Sequence, residues 1–79
     1  MPPADPAAPQ VPVRTLEHLI DNLRADARRG VYRTRDGDLQ IDYGGGGPVA
    51  EAIVQNAARD RILRLKWPDR PDLEYWVLA

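Results

Sequence analysis

From Leu16 onward the apolar side chains fall at Leu16, Leu19, Ile20, Leu23 and Ala27. Spacings of i, i+3, i+4, i+7 and i+11 put all five on one helical face. Thr15 precedes them, and its hydroxyl can accept from a free amide of a first turn. Glu17 then sits at the positive end of the helix, and Arg24, Arg28 and Arg29 crowd the negative end. Gly30 is suited to a positive φ and reads as the stop. The pattern predicts a helix over 15–29.

The period then changes from about 3.6 to 2. Val31 to Arg35 is rich in strand formers, with Tyr32 and Thr34 expected inward and Arg33 and Arg35 outward. Asp36-Gly37 reads as a two-residue type I′ turn. Leu39, Ile41 and Tyr43 alternate with Gln40 and Asp42, completing a hairpin over 31–43. Four glycines, Gly44 to Gly47, read as a connector. Pro48 suits a first helical position, and Val49, Ala50, Ala52, Ile53, Val54, Ala57 and Ala58 give a helix at about 48–59. In a final hairpin Leu63, Leu65 and Trp67 share one face, with Arg64 and Lys66 opposite. Pro68 to Asp72 forms the connection. Leu73, Tyr75 and Val77 then alternate with Glu74, Trp76 and Leu78.

The order is thus α-β-β-α-β-β, two helix–hairpin units of one pattern. Each hairpin carries one apolar face, so the expected fold is a two-layer α+β domain over 15–79. In it a four-stranded antiparallel sheet is covered on one face by two helices. Residues 1–14 hold five of the eight prolines. Such a stretch offers little apolar surface to offset its ordering entropy, so it reads as a flexible tail. Pro3, Pro6, Pro9 and Pro12 recur every third residue, the period of polyproline II, and Pro9 to Arg14 has a P-x-x-P-x-R form. With about 65 structured residues the core is small, so either a monomer or an edge-paired homodimer is compatible with it.

Composition narrows the chemistry. There is no cysteine and one histidine, which excludes disulfides, thiolate metal sites and any site needing two imidazoles. His18 lies off the apolar stripe with no nucleophile or acid that the pattern brings near, and reads as a surface residue. Asp36 and Asp38 flank an exposed turn, and Asp69 and Asp72 lie in a connection; neither pair offers the desolvation that acid–base catalysis needs. The glycine run lacks the Lys-Ser/Thr of a phosphate loop. No apolar run is long enough to span a membrane and no leader pattern is present, so a cytoplasmic location is expected. Nothing calls for a cofactor or metal, and a non-enzymatic protein is expected.

The arginines are the remaining signal. Ten Arg and one Lys stand against twelve acids, for a net charge of −1, yet they cluster. Alternation puts Arg33, Arg35, Arg64, Lys66, Glu74 and Trp76 on the helix-free sheet face, the expected protein-binding surface, since Arg and Trp dominate interface hot spots. The Arg24/Arg28/Arg29 end of the first helix is the second candidate. Strand order decides whether the sheet face has a basic centre or pairs its charges across strands.

Two resemblances follow. The helix at 48–59 followed by Ile62-Leu63-Arg64-Leu65, a turn, and Leu73 to Val77 resembles the helix-then-wing order of winged-helix regulators, which implies nucleic-acid binding. In build, over 15–79, the chain resembles small phage and mobile-element proteins of the anti-CRISPR type. That likeness implies a stoichiometric inhibitor that occludes the surface of a large effector or nucleoprotein complex. The protein partner is the first expectation and direct nucleic-acid binding the alternative.

Overall fold

The computed structural model describes residues 12–43 and 47–79. The proline repeat up to Pro9 and most of the glycine connector lie outside these residues. The elements are α1 (Leu16–Arg24), β1 (Val31–Arg33), β2 (Leu39–Ile41), β3 (Pro48–Val49), α2 (Glu51–Arg59), β4 (Leu63–Leu65) and β5 (Tyr75–Leu78). The class is α+β with an antiparallel sheet, as expected, but the sheet has five strands in the order β3-β2-β1-β5-β4.

The additional strand comes from Pro48 and Val49, expected to begin a helix. Leu39 pairs with Val49 and Gln40 with Pro48, so α2 starts only after Ala50. An edge position suits Pro48, which has no amide to donate. Val13, assigned to the flexible tail, also joins here. It bridges Val49 in parallel, its amide donates to the Pro48 carbonyl at 2.8 Å, and its side chain is 1% exposed. Val13 therefore belongs to the core.

Helix α1 keeps its expected start, with the His18 amide donating to Thr15 Oγ1 at 3.1 Å. It stops five residues early. Asp26 Oδ1 accepts from the Arg28 amide at 2.9 Å, a local turn that competes with further helix. The Arg29 guanidinium then donates to the Asn22 carbonyl at 3.0 Å, taking up an open helix-end acceptor. Ala27, expected on the apolar stripe, is exposed. Gly30 is not a positive-φ stop: it is buried and leads straight into β1.

The first hairpin turns through three residues rather than two. The Gly37 amide donates to the Thr34 carbonyl at 3.0 Å and the Thr34 amide to the Asp38 carbonyl at 2.7 Å. Positive φ is confined to Gly37, at 92°. This is a turn closed by a glycine bulge, not a type I′ turn.

The registers place Val31 opposite both Ile41 and Trp76, Leu39 opposite Val49, Leu65 opposite Trp76, and Leu63 opposite Leu78. Directly opposed residues share a face, so these form the inner side of the sheet. With Leu19 and Leu23 of α1 and Val54 and Ala57 of α2 they build one core. Both helices thus lie on this side, and no helix covers the other face of the sheet, the uncovered face.

Candidate surface on the uncovered sheet face

The register redistributes the expected binding residues. Trp76 and Glu74 were expected outward, but Trp76 packs against the core and its indole N–H donates to Glu74 Oε2 at 2.9 Å. Arg33 also lies on the inner side, in phase with Val31. Arg35 is in the hairpin turn. Of the six, only Arg64 and Lys66 fall on the uncovered face. The inversion arises because both phases of 31–35 and of 73–78 carry apolar groups, so alternation alone does not choose between them.

Arg33 is committed to the fold. Its guanidinium makes two bonds to Glu51, two to Glu74 and one to the Gly37 carbonyl, at 2.7–3.0 Å. All five donors are used. The first and third of the expected strands, β1 and β4, are not neighbours, because β5 lies between them, and Arg33 pairs with Glu74 on the inner side of the sheet. Arg33 holds the Glu51 and Glu74 carboxyls below their usual range, chiefly through these hydrogen bonds. Their folded-state pKa lies below the unfolded value near 4.5, so the stabilisation is present above that pH. It is lost as pH falls through the folded value. Arg33→Met is expected to flatten the fall in denaturation midpoint between about pH 5 and pH 2 relative to wild type. Parallel wild-type and variant curves over that window would contradict the network.

On the uncovered face one row reads Pro48, Gln40, Tyr32 and Tyr75 across β3, β2, β1 and β5. Lys66, whose amide donates to the Tyr75 carbonyl at 2.8 Å, extends it. The Tyr75 ring lies over Gly30, where the absence of a Cβ makes the close approach possible. Its hydroxyl is 3.1 Å from Asp42 Oδ2 and 3.2 Å from the Arg28 carbonyl. Burial, reinforced by the Asp42 contact, pushes the phenol up to about 12, so it stays protonated.

This tyrosine pins the segment after α1 against the sheet and thereby joins the two arginine groups that the sequence kept apart. A groove of about 410 Å³ runs between them, walled by Arg24, Arg28 and Arg29 on one side and by Arg64 and Lys66 on the other. Leu23, Val77 and Leu78 contribute apolar lining, and among the described residues no carboxylate belongs to it. Arg28 pairs with Asp26 at 2.8 Å, and Arg29 is occupied by the Asn22 and Tyr43 carbonyls. Among the described residues, Arg24, Arg64 and Lys66 have no carboxylate within 4.0 Å.

Aromatic rings flank the groove. Lys66 Nζ lies 5.0 Å from the centroid of Trp67 and 5.5 Å from that of Tyr75. Trp67, expected in the core, is 42% exposed, and its ring sits 5.5 Å from Tyr75. Across the groove, Arg28 lies 5.2 Å from the ring centroid of Tyr43, which is 50% exposed. Tyr43, Trp67 and Tyr75 were missed as surface residues because alternation read them as inward.

Among the described residues no group of three or more His, Asp or Glu side chains could hold a metal ion. No helix is long and apolar enough to cross a membrane. The second hairpin is not a free wing, because β5 pairs with β1 on its other side. No protein-family model, curated protein or solved structure matches the chain.

Proposed function

We propose that the chain is a non-enzymatic binding module, a small stoichiometric inhibitor or adaptor that docks on a large effector or nucleoprotein complex and occludes part of it. One observation supports this reading. In a chain of net charge −1, five basic side chains converge on a single groove that, among the described residues, no carboxylate lines. Like charges brought together raise the local potential and disfavour the free state, a cost offset when an anionic surface docks. The contact surface is accordingly the groove with the adjoining Trp67 and Tyr75, which keeps Arg64 and Lys66 of the six residues expected from alternation and leaves out Arg33, Arg35, Glu74 and Trp76.

The test is affinity capture from the native host with the immobilised chain. The double variant Arg24→Glu/Arg64→Glu is expected to melt like wild type, because neither side chain is paired with a carboxylate among the described residues, and to release what wild type retains. A partner held equally by wild type and the double variant would place the interface elsewhere.

A further inference from the structure

Resting on the binding reading above, we propose that the groove and its flanking rings take up single-stranded nucleic acid, the exposed strand of a nucleoprotein partner. The charge pattern alone would fit any polyanion. The rings distinguish among them. Each side of the groove ends in an exposed aromatic with a cation over it, Tyr43 with Arg28 and Trp67 with Lys66. A single strand alternates phosphates with unstacked planar bases, and proteins that bind it pair a cationic track with aromatic faces. Trp67 meets Tyr75 in a tilted contact at 55° and still keeps 42% of its surface exposed, so a base has ring area to pack on. An acidic protein surface would use the cations, but it offers no regular series of unstacked planar groups to set against the rings. Duplex DNA calls for a helix or ribbon that protrudes into the major groove, and this site is concave.

Three cations without carboxylate partners, Arg24, Arg64 and Lys66, set the expected salt response. At about 0.7 released counterions per phosphate contact, the slope of log K against log salt is about −2. Affinity then falls roughly 15-fold between about 50 and 200 mM salt.

The experiment titrates the full chain into a fluorescent oligo(dT) of about twelve nucleotides and reads anisotropy, with poly-glutamate as competitor. Wild type is expected to bind the oligonucleotide with that slope. Arg64→Gln should weaken binding and reduce the slope by about 0.7. Trp67→Ala should weaken binding about tenfold with little change in slope, because it removes stacking and no charge. Circular dichroism melts of both variants check that the fold is kept. Unchanged affinity in Trp67→Ala, or displacement of oligo(dT) by an equal charge concentration of poly-glutamate, would overturn the proposal in favour of a generic acidic partner. Capture of a partner that depends on Arg24 and Arg64, with no oligo(dT) binding, would also overturn it while leaving the binding-module reading in place.

Discussion

Gly30→Val is expected to cost about 3 kcal/mol, the upper end of what overpacking a filled site does. A Cβ at this position would run into the edge of the Tyr75 ring and stand 2.8 Å from the Trp76 carbonyl oxygen. The ring could swing aside only by giving up Asp42 and the Arg28 carbonyl. The carbonyl belongs to β5, the central neighbour of β1, and has nowhere to go. A domain of this size holds roughly 3–10 kcal/mol in total, so the variant should melt far below wild type or lack a cooperative transition. Because loss of folding alone says little about cause, the milder Gly30→Ala should be compared with Gly30→Ala/Tyr75→Ala. Removing the ring should recover part of the loss and give a favourable coupling between the two sites. Additive single effects would show that the ring and the glycine are independent.

A chain beginning at Arg14 is expected to be less stable than one beginning at Val13 by about 2–3 kcal/mol. Burying a valine contributes about 1.5–3 kcal/mol, and the amide bond to Pro48 about 1 kcal/mol more. Part is returned as entropy when the end is freed. For a domain this small that is a drop of about ten degrees or more in Tm. In the full chain, Val13→Asp should be at least as damaging, since it puts an unpaired carboxylate among Leu19, Val31 and Val54. Equal midpoints for the two truncated chains would remove Val13 from the core.

Both positions bear on what the sequence could disclose. Local signals were readable wherever one residue decides the outcome. Thr15 caps α1, Gly37 supplies the positive φ of the first hairpin, and the two helices and the two predicted hairpins exist. The phase of β1 and β5 was not readable. In Val31-Tyr32-Arg33-Thr34 and Glu74-Tyr75-Trp76-Val77 either alternate set can be buried, and the choice is made by partners more than forty residues away, through Val31 opposite Trp76. Arg33 illustrates the difficulty. A charged residue on a strand reads as outward, yet this one reaches Glu51 and Glu74 beside the core, and no local pattern announces two carboxylates from different elements. Val13 was hidden by its neighbours, because a short apolar residue among prolines gives no periodicity to read.

The candidate surface divides the same way. Its cations were visible as two clusters in the sequence. Their meeting depends on Asp26 ending α1 early and on Tyr75 holding the following segment by its hydroxyl, both tertiary events. A search for aromatic residues next to basic ones, without regard to strand phase, would have found Lys66-Trp67.

The strand order also constrains how the chain is made. β5 carries residues 75–78 yet sits between β1 and β4, so β4 joins the sheet only through it. While the chain is being synthesised, β1 has an open edge, β4 has no partner, and Trp76 and Leu78 are missing from the core. The first hairpin can form early, since its contacts are close in sequence. The domain as a whole closes only once its last strand has emerged. Until then the Val31 edge and the apolar faces of both helices are exposed to other nascent chains. A premature stop in 66–74 removes β5 whole, leaves open edges on both β1 and β4, and gives a protein quality-control system an unfolded chain to meet.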